Sequence, residues 1–162
     1  GKKYPVNIFK RSKKSVSESK EPKVVSEWGW KLPHKWFITI NACTPILTES
    51  TITHFTKYFL GSPNKSLFAV HKKNNFYWDN KGNMITKYPG SLDSKLVNST
   101  FEAAHCLYAG CKKDLSNNVY LGDFTFNYPE LYEVNEKETF DIDELWQFKV
   151  AEVLYQNKNK FL

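Results

Sequence analysis

Trp36-Phe37-Ile38-Thr39-Ile40-Asn41-Ala42 is the stretch whose reading decides the fold class. Trp36, Ile38 and Ile40 fall on one face and Phe37, Thr39 and Asn41 on the other, the two-residue period of a strand. The period then changes. Thr48-Glu49-Ser50-Thr51 supplies capping chemistry ahead of Ile52, Phe55 and Phe59, spaced by three and four, while Gly61 and Pro63 supply a stop, so a helix follows the strand.

Working outward, residues 67–71, 75–78 and 84–88 read as strands, the last two joined by the turn residues Asp79-Asn80-Lys81-Gly82. Residues 100–108 follow Asn98-Ser99 and carry Glu102 near the first turn, which predicts a second helix. Short strands are expected at 119–121 and 124–126. Asp141-Ile142-Asp143-Glu144 opens the last helix, where Ile142, Leu145, Trp146, Val150, Val153 and Leu154 form an apolar stripe expected to face the core. The connections are too short for repeated parallel crossovers, which leaves an α+β fold with a mainly antiparallel sheet and about three helices. A single domain is expected over 25–162, preceded by a basic extended arm over 1–24, flexible or ordered by a partner.

The arm is a matter of charge. Residues 1–24 hold eight basic side chains against two acidic ones, a surplus of +6, and the whole chain also sums to +6. A neutral body therefore carries a basic arm, and charge confined to one polar segment points to a partner rather than to solubility. Residues 115–154 are the opposite pole, with nine acids against Lys137 and Lys149. Acids in the first turn of the last helix suit its dipole, but that account does not reach Glu130 to Glu138.

Directly after the arm, Trp28-Gly29-Trp30-Lys31-Leu32-Pro33-His34-Lys35-Trp36 interleaves indoles with cations. Bases stack on aromatic faces while cations follow the phosphate backbone, so Lys10, Arg11, Lys13, Lys14, Trp28, Trp30, Lys31 and Lys35 are the candidate nucleic-acid contacts. Arg11 is the only arginine of the chain, which favours backbone attachment over base reading. The function expected is a non-enzymatic RNA-binding module within a ribonucleoprotein assembly, its partners RNA and protein subunits. Two alternatives stand beside it: a protein-interaction module using the aromatic hairpin and acidic C-terminal region, and a small secreted toxin or ribonuclease using histidines.

Other chemistry is weakly signalled. His54, His71 and His105, with Glu102, offer acid and base groups, but no spacing ties a pair together. Cys43, His105, Cys106 and Cys111 lack the paired spacing of a structural zinc site, so no metal and no small-molecule cofactor is expected, nor any catalytic residue. Cys106 and Cys111 are too far apart on one helix to bridge, and reduced thiols favour an intracellular setting; the Asn98-Ser99-Thr100 sequon leaves a secreted route open. No run approaches the roughly 18 apolar residues of a membrane span, so no membrane association is expected.

Overall fold

The computed structural model describes residues 6–16, 22–61, 66–115 and 129–161. Three short helices open the described chain: α1 (Lys13–Val16), α2 (Pro22–Val25) and α3 (Glu27–Lys31). Strand β1 (Trp36–Ile40) leads to α4 (Glu49–Gly61), then β2 (Leu67–Lys73), β3 (Thr100–Cys111), α5 (Lys112–Leu115), β4 (Glu130–Glu133), α6 (Leu145–Gln156) and α7 (Lys158–Phe161). The four strands form one sheet in the order β1-β3-β2-β4.

Backbone bonds give the strand directions. Asn41 N–H donates to the Cys106 carbonyl at 2.9 Å and Lys112 N–H to that of Lys35 at 2.8 Å, so β1 and β3 run antiparallel. Glu130 N–H donates to Ser66 at 2.8 Å and Val134 N–H to Val70 at 3.0 Å, so β4 runs parallel to β2. The fold is α+β, as the pattern predicts, with a mixed sheet.

The helix predicted over 100–108 is instead most of β3. Alanine and glutamate favour helix in isolation, but β3 lies between β1 and β2, where its buried Ala104, Cys106, Leu107 and Ala109 fit a covered sheet. His105 sits within the strand at φ 51°, and the Asn41 side-chain amide donates to its carbonyl at 3.0 Å. The strands predicted over 75–78 and 84–88 shrink to one bridge, Trp78 with Met84, around a turn in which Gly82 sits at φ 83°. Asp79 holds that turn by accepting from the N–H groups of Lys81 and Asn83. The strands expected at 119–121 and 124–126 lie outside the described residues.

The chain divides into two compact units. The described residues of Gly1–Thr39, Phe55–Phe68 and Tyr108–Glu130 form the first, and those of Ile40–His54, Ala69–Leu107 and Leu131–Leu162 the second. In the first, Phe55 and Phe59 are fully buried; Trp36 meets Phe59 edge-on at 6.2 Å, and Phe68 meets Tyr108 at 4.9 Å. In the second, Ile46, Ala69, Val70, Val97, Cys106, Leu107 and Val134 are buried.

The stripe predicted for the last helix does not face this core. Leu145, Trp146, Phe148, Val150, Val153 and Tyr155 are all exposed, and Ala151 is the buried residue of α6. Periodicity identifies the helix but cannot say that its apolar face is covered.

Three acids of the 130–138 segment, unexplained by helix dipoles in the sequence, have specific partners. Glu130 accepts from the Tyr58 hydroxyl at 2.5 Å, Glu136 pairs with Lys73 at 2.5 Å, and Glu138 accepts from Thr48. The Thr48 contact is doubled, from its N–H at 3.0 Å and its hydroxyl at 2.8 Å, which places a buried carboxylate at the N-terminus of α4. Thr48 Oγ1 in turn accepts from Thr51 N–H at 3.1 Å and caps the helix.

Candidate functional site

The segment after β4 turns back across the end of β2 and closes a cavity of about 530 Å³ in the second unit. Its walls include Ile46, His71, Lys137, Thr139, Asp141, Gln147 and Lys158. This is the size range of small-molecule sites, and the polar groups stand among apolar ones, as such sites require.

His71 is buried near the end of β2, with its Nε2 2.6 Å from Thr139 Oγ1. The threonine hydroxyl donates its one proton to the Glu136 carbonyl at 3.0 Å, so the histidine must donate from Nε2 and keep Nδ1 as its acceptor when neutral. Burial lowers the His71 pKa; Glu136 and Glu102 oppose that shift, while Lys73 and His105 add to it. Glu136 is itself held below the usual carboxylate range by its bond to Lys73, which lies 3.5 Å from Glu102 on its other side.

Asp141 also lines the cavity. Its Oδ1 accepts from Asn41 Nδ2 at 3.3 Å and from Ile142 N–H at 3.1 Å, and the Ile142 N–H also lies 3.0 Å from the Cys43 carbonyl. Gln147 Oε1 accepts from the N–H groups of Asp143 and Glu144 at 2.7 and 2.6 Å, which fixes the entry to α6 and orients its amide at the cavity. Lys158, at the start of α7, lies 4.6 Å from the Tyr155 ring centroid. The cavity thus combines two lysines, two carboxylates (Asp141 and the Lys73-paired Glu136), an amide, a hydroxyl and a buried imidazole.

The candidate nucleic-acid contacts are elsewhere. Lys10, Arg11, Lys13 and Lys14 are exposed, and the Arg11 guanidinium turns inward to Ser15 Oγ at 2.9 Å and to the carbonyls of Ser15 and Val25. Lys31 pairs with Glu27 at 3.3 Å and Lys35 stands over the Trp36 ring at 4.7 Å. Trp28 packs on Phe37 at 5.3 Å and lines a second cavity, and the Trp30 carbonyl accepts from Lys112. Of the three histidines considered as acid or base groups, His71 lines the first cavity, His54 is exposed beside Ser50, and His105 carries a positive φ within β3. Cys43, Cys106 and Cys111 are free thiols.

Sequence reading missed Asp141, Thr139, Gln147 and Lys158. Asp141 registered only as a helix-opening acid, and nothing local announces that Thr139 meets a histidine 68 positions earlier.

No family model matches the chain, and no curated protein does. Solved structures do match. One is the crystal structure of 4-diphosphocytidyl-2C-methyl-D-erythritol synthase from Anaerococcus prevotii, with a TM-score of 0.58 and 13% identity over 85% of this chain and 67% of that one. The likeness is one of fold. It overturns the expectation of an RNA-binding module in a ribonucleoprotein. Charge in sequence does not show which cations the chain uses internally, as it does Arg11 of the arm and Lys31 beyond it. Among the described residues no helix is long and apolar enough to cross a membrane.

Proposed function

We propose that this chain takes part in nucleotidyl transfer and that its 530 Å³ cavity holds a phosphorylated polyol or sugar and the nucleotide-linked product made from it. The observation that carries the reading is the grouping of Lys137 and Lys158 with Asp141 and Gln147 in one cavity, on a fold similar to that of a 4-diphosphocytidyl-2C-methyl-D-erythritol synthase. Lysines attract phosphate, while a carboxylate and an amide accept and donate to vicinal hydroxyls. The reaction class joins a phosphate oxygen of the acceptor to the α-phosphorus of a nucleoside triphosphate and expels pyrophosphate.

Phosphoryl transfers of this kind use Mg²⁺ to bridge and neutralise phosphate oxygens. Among the described residues no group of three potential ligands is gathered. A cation held mainly by phosphates and water needs only one or two carboxylates, and Asp141, with Oδ1 already engaged, fits that lesser demand. The neutral His71, with Nδ1 as acceptor, supplies a hydrogen-bond partner for a substrate hydroxyl without adding charge.

Calorimetric titration with CDP-glycerol and with glycerol 3-phosphate, each with and without Mg²⁺, tests the reading. Saturable binding that weakens at least tenfold in Asp141→Asn and in Lys158→Met supports it. No binding of either compound, or binding indifferent to both substitutions, overturns it.

A further inference from the structure

The second cavity, about 320 Å³ and formed wholly within the first unit, has a different chemistry. Its walls are aromatic: Trp28, Trp36 and Phe37, with Leu32 beside them. Among its lining residues the permanent charge is Lys112, and none is a carboxylate. Lys112 Nζ donates to the carbonyls of Leu32 at 2.8 Å and Trp30 at 3.2 Å. Those dipoles orient the ammonium without neutralising it, and among the described residues the two bonds leave one of its three N–H groups unused. Glu27, next to Trp28, is already committed to Lys31 and to the Ser12 N–H.

Such a cleft disfavours a cationic guest. Lys35 already stands over the Trp36 ring, and a second cation would meet its charge and that of Lys112 with no carboxylate among the lining residues. A neutral aromatic would fill the walls but leave the remaining Lys112 N–H unmatched. A phosphate dianion asks for several converging donors, whereas one ammonium N–H with the neighbouring His34 ring matches a carboxylate. We propose that this cleft is a binding site for a small aromatic carboxylate, its ring against Trp28, Trp36 and Phe37 and its charge on Lys112. The proposal does not depend on the reading given to the first cavity.

The test uses the full chain with 1-naphthoate as probe, compared with the neutral 1-naphthamide and with 1-naphthyl phosphate, followed by the indole N–H resonances in ¹H–¹⁵N spectra. Naphthoate is expected to move the Trp28 and Trp36 signals saturably and to bind at least tenfold more tightly than the amide, with the phosphate no tighter than the carboxylate. Lys112→Met should remove the preference for naphthoate while leaving amide binding in place. Should Lys112→Met fail to fold, the comparison of acid, amide and phosphate on the unaltered chain decides the matter. Equal affinity for acid and amide, tighter binding of the phosphate, or saturation that moves other tryptophans but not Trp28 and Trp36 overturns the proposal.

Discussion

His71 Nε2 donates to Thr139 Oγ1 across 2.6 Å, joining the end of β2 to the segment before α6. That one bond ties the only buried histidine among the described residues to the loop that carries Asp141, so the protonation state of the ring and the shape of the cavity are linked.

The linkage has a definite sign. Burial favours the neutral ring and lowers its pKa in the folded chain, while the unfolded chain binds the proton near the ordinary value of about 6.5. The stabilising contribution is therefore complete above about pH 6.5 and is lost as pH falls through the lowered native value. Thermal midpoints measured between pH 7.5 and 5 should decline, and His71→Gln should decline less. An equal decline in both would remove His71 as the source.

Thr48 and Glu138 should behave as a coupled pair. Glu138→Ala leaves the Thr48 hydroxyl and N–H without their acceptor and should cost about 1–3 kcal/mol; Thr48→Ala, which also loses the cap on α4, should cost about 1–2 kcal/mol. Urea unfolding of the double variant should show less than the sum, since both changes remove the same contact.

A methyl group at Gly110 would lie 3.1 Å from the Phe37 ring and 3.1 Å from Ser66 Oγ, whereas at Gly61 it would meet nothing within 4 Å. Gly110→Ala should accordingly destabilise by about 1–3 kcal/mol as overpacking does, and Gly61→Ala should be neutral or slightly stabilising. Denaturant midpoints separate the two.

Thiol reactivity should follow burial. Cys43 is exposed, whereas Cys106 and Cys111 are buried and burial pushes the Cys106 thiol up to about 11. Iodoacetamide at pH 8 should label Cys43 in the native chain and all three after unfolding, read by mass spectrometry of peptides. Labelling of Cys106 in the native chain would contradict its placement.

The α+β class, β1, α4 and β2 were legible because each has a clean period and punctuation from Thr48, Gly61 or neighbouring polar residues. β3 was not, because Ala103, Ala104 and Glu102 have helical propensity and only the flanking strands β1 and β2 override it. The apolar face of α6 was legible as a helix face but not as an exposed one, since periodicity carries no information about what lies opposite. The site was nearly illegible: Asn41 with Asp141 is a pairing across 100 positions, and His71 with Thr139 one across 68. The surplus charge of the arm, the loudest signal in the sequence, belongs to a segment in which Arg11 is already bonded within the chain.

The central claim, that the cavity between His71 and Asp141 receives a nucleotide-linked polyol, is tested most directly by a crystal structure with CDP-glycerol and Mg²⁺. The account predicts the diphosphate beside Lys137 and Lys158 and the glycerol hydroxyls within hydrogen-bond reach of Asp141 or Gln147. Density for the ligand elsewhere on the chain, with this cavity empty at saturating concentration, would contradict it.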